Sequence, residues 1–391
     1  MADNFCTFAL ERYQSQFERT VDYNMADSSV KCLVTDEWLD GNEKTELLET
    51  GLFYPEVNGT VRLRKQISEF YSGADDSNIL ITVGASQANN LVCQTVLQSG
   101  DHVVVMSPSY RQVWGIAQNM GCHVHQLRLS EYHGWKLDFE KIESLIVGSV
   151  KLVSIVNPNN PTGTVLSSHE MEKIVAICRN HRAWLHADEV YHGTEHRGVQ
   201  TAPSFWGMYD RVIVTNSLSK AYGLSGLRIG WAAAPPDMIE NLWRRHEYSV
   251  IAAAAPSMTL AEIALKPTKR AMLLERQRNI TEAGLEVLRA WLLEHNRLFS
   301  LVPTLATSIV LLRCHIPLTS MEIAESIRTR ASVLVAPGSS LGAESHIRVT
   351  VGYEPDKVRK ALERIAKVVQ SLEREMAEPA ALIAPDANDP S

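Results

Sequence analysis

The chain carries a series of short, strongly apolar, β-branched runs, each closed by a cluster of polar or turn-forming residues. Residues 79–83 read Ile-Leu-Ile-Thr-Val, 103–106 Val-Val-Val-Met, 151–156 Lys-Leu-Val-Ser-Ile-Val, 183–187 Ala-Trp-Leu-His-Ala and 212–215 Val-Ile-Val-Thr. Runs this apolar read as strands buried on both faces. Helical stretches lie between them, at 86–98 and near 170–180. The second opens on the capping box Ser167-Ser-His-Glu170 and spaces Met171, Ile174, Val175 and Cys178 at helical intervals. Strands that alternate with helices restrict the chain to βαβ units, an α/β fold with a mostly parallel sheet flanked by helices.

With 391 residues the chain is long enough for two domains. A long helix over 267–295 leads out of the strand-rich region, and a smaller α/β unit with helices near 320–329 and 355–377 is expected after it. The division expected is an N-terminal segment, 1–40, that packs with the small domain; a large ligand-binding domain, 41–295; a small C-terminal domain, 296–377; and a disordered, proline-rich tail, 378–391. A net charge of -7 speaks against nucleic acid or an anionic membrane as partner. No uninterrupted apolar stretch is long enough to span a bilayer. The 6 cysteines are scattered with no CxxC pair, which suits free thiols in a reducing compartment. The N-terminus has no basic region followed by an apolar core, so a cytoplasmic location is expected. His123 and His125 share one face of a strand, but no third ligand accompanies them and no metal site is expected. Neither a G-x-G-x-x-G after a strand nor a G-x-S-x-G elbow is present.

In an open parallel sheet, ligands sit at the carboxyl ends of the strands. The run 79–83 is followed by Gly84-Ala85-Ser86 at the start of a helix, and 103–106 by Ser107-Pro-Ser-Tyr110. After 151–156 comes Asn157-Pro-Asn-Asn160-Pro-Thr-Gly163, and after 183–187 comes Asp188-Glu-Val-Tyr191. After 212–215 comes Ser217-Leu-Ser-Lys220, with Arg228 close behind. Each has a plain structural reading alone: a helix N-cap, a loop tyrosine, turn chemistry, a capping carboxylate, a lysine reaching water. Together they suit one ligand. A lysine amine stripped of water is a nucleophile toward aldehydes. Ala85, Ser86, Ser217 and Arg228 offer N–H groups, hydroxyls and a cation to a phosphate. Tyr110 can cover a ring, Asn160 and Tyr191 can donate to a ring oxygen, and Asp188 can keep a ring nitrogen protonated. An aromatic aldehyde with a phosphate and a ring nitrogen describes pyridoxal 5′-phosphate (PLP).

From about residue 20 to about 370 the chain resembles the fold-type I PLP enzymes of the class I/II aminotransferase family, most specifically through Asn160-Pro-Thr-Gly163, Asp188-x-x-Tyr191 and Ser217-x-x-Lys220…Arg228 taken together. The resemblance implies that Lys220 holds PLP and shuttles the proton, that Asp188 pairs with the ring nitrogen, and that Tyr110 stacks on the ring. It implies phosphate contacts from Ser217 and Arg228, with Ser219 as a structural neighbour. Tyr54, in Phe53-Tyr-Pro-Glu-Val-Asn-Gly59, resembles the tyrosine that reaches the phosphate of a partner subunit in a homodimer; otherwise it is an ordinary buried tyrosine. Arg348 resembles the arginine that clamps the substrate carboxylate, and Leu341 stands where the family's Pro-Gly-x-x-Phe-Gly loop has Phe. A branch that includes a capreomycidine synthase and PLP-dependent arginine oxidases is similar in the Leu-Ser-Lys-Ala-Tyr-Gly-Leu or the Asn-x-Ala-Asp type of segment, here Asn24-Met-Ala-Asp27. Asp27 is accordingly expected to face the substrate side chain and favour a basic or polar group, or else to cap a turn. The activity implied is amino transfer between an amino acid and a 2-oxo acid, in amino-acid or secondary metabolism. The same residues permit a lyase, cyclase or oxidase acting through the same α-carbanion, or a non-catalytic PLP-binding protein.

Overall fold

The computed structural model describes residues 5–139 and 150–382, with side chains through 377. The strands in chain order are β1 (Tyr23–Asn24), β2 (Ile79–Val83), β3 (His102–Ser107), β4 (His123–Ser130), β5 (Lys136–Leu137), β6 (Val150–Val156), β7 (Trp184–Asp188), β8 (Val212–Ser217), β9 (Ile229–Ala233), β10 (Phe299–Ser300), β11 (Ile309–Cys314), β12 (Val333–Leu334), β13 (Ala336–Pro337) and β14 (His346–Thr350). Among the described residues β2 to β5 and β6 to β9 form one 8-stranded sheet, in the order β2-β9-β8-β7-β6-β3-β4-β5. The run β4-β3-β6-β7-β8 is parallel throughout. Strand order reverses between β3 and β6, which opens a crevice at their carboxyl ends.

Period-2 alternation sorts the strand residues onto two faces. Leu80, Val103, Val105, Leu152 and Ile213 pack with Leu91 and Val92 of the helix Gly84–Val96. Ile79, Ile81, Val104, Val153 and Val214 face the opposite layer, which includes Ile174 of the helix Ser168–His181. Each such fully buried aliphatic side chain contributes about 1.5–3 kcal/mol. Ser167 caps that second helix reciprocally with Glu170.

The structure departs from the sequence reading at several element ends and at one strand. The helix expected over 86–98 begins at Gly84 and ends at Val96. The strand β9 was not anticipated, and it runs antiparallel between β8 and β2. Its sequence, Ile-Gly-Trp-Ala-Ala, has small residues where long apolar ones mark the other strands. The reason lies in its neighbours: a Cβ on Gly230 would meet Ala85 N at 2.4 Å and the Gly84 carbonyl carbon at 2.4 Å. Only glycine lets β9 pass this close under the helix start.

A 4-stranded antiparallel sheet, β10-β11-β14-β13, follows the long helix Pro267–Glu294. Its core joins Val310, Leu312, Ile347 and Val349 to Ile323 and Ile327 of the helix Ser320–Ala331 and to Leu362 and Ile365 of the last helix. That last helix, Pro355–Leu382, extends past 377, where a disordered tail was expected to begin. The rest of that tail, 383–391, lies outside the described residues. Only part of the N-terminal segment pairs with this unit: Tyr23 lies beside Val333 in the parallel β1–β12 pair, and Met25 and Lys31 bond to the backbone of Thr350 and Gly352, whereas Trp38 and Leu39 pack into the core of the large sheet and Cys6 bonds to Asn119. No helix among the described residues is long and apolar enough to cross a membrane.

Candidate active site

A cavity of about 670 Å³ opens at the carboxyl ends of the large sheet, roofed by the N-terminal helix Ala9–Phe17. Of the residues singled out in the sequence, it brings together Asp27, Ala85, Ser86, Tyr110, Asn160, Asp188, Tyr191, Ser217, Lys220 and Arg228, with Ser219 also on its wall.

Lys220 follows the end of β8 and is half-buried. Its Nζ donates to Ser28 Oγ at 2.7 Å and to Ser29 Oγ at 3.3 Å. Asp188 ends β7 and is buried. Its Oδ2 accepts from Asn89 Nδ2 at 2.9 Å and its Oδ1 from the Val190 N–H at 3.2 Å. Burial pushes the Asp188 carboxyl above its usual range, while Asn89, the Val190 N–H and the charge on Lys220 pull it back down. Tyr191 is buried, and its hydroxyl donates to Ser28 O at 3.4 Å.

The side of the cavity nearest β2 and β9 is built for an anion. Gly84 has φ +74, and a Cβ there would lie 2.4 Å from Arg228 Nη2, so the guanidinium sits against the first turn of the helix. The N-cap residue, Val83, offers no side chain to the first N–H groups of the helix, and Gln87 Oε1 accepts only from the Val83 N–H before it, at 2.7 Å. The N–H groups at Ala85 and Ser86, the Ser217 hydroxyl and Arg228 thus converge on one corner. Arg228 itself takes φ +53, with Nη1 donating to Ser225 O at 2.9 Å.

Asn160 Oδ1 accepts from Arg348 Nη1 at 3.0 Å, which leaves its amide nitrogen as the donor end. Arg348 stands on β14, 1% exposed, behind the cavity wall. Its Nη2 donates to Ala26 O at 2.6 Å, and its Nε has no hydrogen-bond partner. Leu341 is buried against Leu10, Tyr13 and Ala26, under the N-terminal helix.

Tyr110 holds that helix over the cavity. Its hydroxyl donates to Glu11 Oε1 at 2.9 Å, and its ring lies 5.1 Å from that of Phe8. Burial and the Glu11 carboxylate together push its phenol well above the usual range. Asp27 lines the cavity, and its Oδ1 caps a turn by accepting from the Ser29 N–H at 2.9 Å. Tyr54 is not on the cavity wall. It is 82% exposed, which rules out the buried-tyrosine reading, and it lies in an exposed run with Leu52 and Phe53.

Sequence reasoning missed two sets of residues. The first is the roof: Glu11, Gln14, Ser15 and Glu18 recur at helical spacing and face the cavity. A polar stripe at that period was the available signal. The second is Asn89 on the helix Gly84–Val96, with His186 and Thr215 behind it. Nothing in their spacing announces them, because they meet only when helix and sheet pack. Among the described residues no group of His, Cys, Asp and Glu is arranged to hold a metal ion. His125 instead shares a 2.8 Å hydrogen bond with His102.

A model of the family described as aminotransferase class I and II matches residues 23–365. The crystal structure of a PLP-dependent aminotransferase from Streptococcus suis superposes with a TM-score of 0.88 at 29% identity, covering 94% of this chain and 98% of that one. The aromatic aminotransferase of Pyrococcus horikoshii shares the fold, with a TM-score of 0.82 at 23% identity over 93% of this chain and 99% of that one. Among curated relatives, the arginine–pyruvate transaminase AruH of Pseudomonas aeruginosa is 27% identical over 82% of this chain and 83% of its own length. The putative aminotransferase YugH of Bacillus subtilis is 26% identical over 79% of this chain and 82% of its own. Fold and relatives together define a fold-type I, PLP-dependent transferase. The chain belongs to the aminotransferase class I and II family.

Proposed function

We propose that this protein moves the amino group of an amino acid with a basic or polar side chain to a 2-oxo acid, using PLP bound at Lys220. The observation that supports it is the meeting of a lysine amine, a buried carboxylate and an anion corner on one cavity. That donor set fits a phosphorylated pyridine aldehyde. The anion corner of Ala85, Ser86, Ser217 and Arg228 would hold the phosphate, Asp188 would pair with the ring nitrogen, Tyr110 would cover the ring, and Asn160 and Tyr191 would donate to its oxygen. When bound, PLP supplies an electron-withdrawing ring that lets an amino acid lose its α-proton.

The chain's own residues do the rest. Lys220 Nζ would hold the cofactor and, when free of it, would take the proton from the substrate Cα. Ser28 and Ser29 hold that nitrogen on the cavity side. The Asp188 carboxylate, fixed by Asn89, would keep the ring nitrogen protonated. Arg348 has an unpaired Nε and spends its other N–H groups on neutral carbonyl oxygens, so a substrate carboxylate satisfies it better once the Ala26 carbonyl yields.

The exposed run Leu52-Phe-Tyr54 supports a homodimer, with a second copy covering this segment and receiving Tyr54 at its own phosphate corner. All of the cysteines are unpaired, which supports a reducing, cytoplasmic setting.

Single turnover tests the reaction type. The PLP-loaded protein, mixed with one amino acid and no acceptor, is expected to release one equivalent of the matching 2-oxo acid while the visible cofactor band disappears. Repeated release of ammonia, or a cyclised product with the band restored, identifies a lyase, cyclase or oxidase instead. An unchanged band with every amino acid identifies a non-catalytic PLP-binding protein.

The side-chain preference rests on Asp27 lining the same cavity as Glu11 and Glu18. A relative, AruH, is named as an arginine–pyruvate transaminase, which agrees with it. Asp27→Ala is expected to raise KM for basic amino acids on the order of 10-fold and to leave neutral ones unchanged, the size of one lost charge-assisted contact. An equal rise for both classes reduces Asp27 to its turn-capping role.

A further inference from the structure

Behind Asp188 lies a buried hydrogen-bond chain that crosses three strands and one helix. Ser154 on β6 sits opposite His186 on β7, and its Oγ lies 2.9 Å from His186 Nδ1. His186 Nε2 lies 2.9 Å from Thr215 Oγ1 on β8 and 3.1 Å from Asn89 Oδ1. Thr215 Oγ1 donates to Asn89 Oδ1 at 2.7 Å, and Asn89 Nδ2 donates to Asp188 Oδ2 at 2.9 Å. His186 and Thr215 are 0% exposed, Asn89 2% and Ser154 5%.

Counting donors along the chain permits one consistent arrangement. The Thr215 proton is committed to Asn89, so Thr215 Oγ1 must accept from His186, which places the imidazole proton on Nε2. Nδ1 then carries the lone pair and accepts from the Ser154 hydroxyl. Every bond points the same way, from Ser154 toward Asp188. The imidazole stays neutral in this setting, since burial pulls it down to about 3. A neutral ring that donates from Nε2 matches the Asn89 oxygen and not its NH₂, which is left to donate to Asp188 Oδ2 and, at 3.1 Å, to Gln112 Oε1.

We propose that His186 is a positioning residue for the reaction: acting through Thr215 and Asn89, it holds the Asn89 amide in the orientation that donates to Asp188, and thereby keeps Asp188 ionised and aimed at the cofactor's ring nitrogen. This rests on the reading of Asp188 as that nitrogen's partner. Loss of the Asn89 donor makes the carboxylate a stronger base, and the proton it shares with the ring nitrogen moves onto Asp188. A ring that is less cationic holds the proton on its lysine linkage more tightly. The linkage's visible pH titration therefore moves upward when the chain is cut. Lys220, Tyr110 and Glu189 are the other titratable groups whose charges act on or feel Asp188.

The test compares the PLP-loaded protein with Asn89→Leu, Thr215→Val, His186→Leu and His186→Gln, each checked for folding by circular dichroism and melting. Gln keeps an N–H donor at the position of Nε2. The first three variants are expected to raise the midpoint of the visible titration by roughly one pH unit and to lower kcat on the order of 10-fold at unchanged KM. His186→Gln is expected to restore most of both. If His186→Leu does not fold, Thr215→Val and Asn89→Leu carry the same comparison. Asp188→Ala serves as the reference. If it moves the midpoint while Asn89→Leu and Thr215→Val leave it in place, the positioning role is overturned and the reading of Asp188 stands. If Asp188→Ala changes neither the midpoint nor PLP affinity, the reading of the site fails, and the positioning role with it.

Discussion

Alanine at position 220 is expected to lower kcat for amino transfer on the order of 10⁴-fold, and to do so without unfolding the protein. The size follows from what is removed: the nucleophile that anchors the cofactor and the base that moves the α-proton are the same nitrogen. The mildness of the structural effect follows from the contacts that nitrogen makes. It is half-buried at a cavity wall and donates only to the hydroxyls of Ser28 and Ser29, both of which can turn to water. Borohydride reduction followed by peptide mass analysis gives a second readout. The parent protein is expected to carry the cofactor's mass on the peptide that contains Lys220, and Lys220→Ala to carry none. Turnover above about one hundredth of the parent's, or an adduct on another lysine, sinks the assignment.

Replacing Asp188 by asparagine is expected to lower kcat roughly 10²–10³-fold, the usual effect of losing one preorganised electrostatic partner. The amide keeps the shape of the carboxylate but not the charge that holds a proton on the ring nitrogen. Stability moves the other way. Burial raises the Asp188 carboxyl above its usual range, so the folded protein binds that proton more tightly than the unfolded chain does. Stability from this group is therefore present at acid pH and falls as pH rises from the unfolded value through the folded one. An amide has no such loss. The cofactor-free Asp188→Asn protein is expected to melt at or above the parent's temperature near pH 7 while turning over far more slowly. Activity within tenfold of the parent contradicts the role given to Asp188.

Much of the large sheet was legible because its strands are fully buried and carry a pure β-branched signal, as in Val103-Val-Val-Met106 and Val212-Ile-Val-Thr215. The residues that line the cavity were legible for a related reason: they fall at strand ends, where chain order converts directly into position. The strand β9 was not, because its glycine and alanines answer to a helix start that is far away in sequence. Asn89 escaped for the same physical reason, since its partners Asp188, His186 and Thr215 come from β7 and β8. The helix roof hid differently. Glu11 and Glu18 look like solvated surface until Tyr110 fastens their helix over the opening. Arg348 was found by its surroundings in the chain, but its seat behind Asn160, bound to the Ala26 carbonyl, depends on three segments far apart in sequence.

The closeness of Gly84 to Arg228, and of Gly230 to Gly84 and Ala85, has a bearing on how this chain can change over time. Three separate segments meet there with no spare room: a side chain added at Gly84 displaces the guanidinium, and one added at Gly230 displaces the helix start on which that guanidinium rests. Tolerance at these positions belongs to the group and not to its members. A scan that replaces residues one by one would record each as intolerant and miss that they share a single constraint. Descendants of this sequence would have to shift helix start, strand and guanidinium in one concerted step, or leave all three as they are.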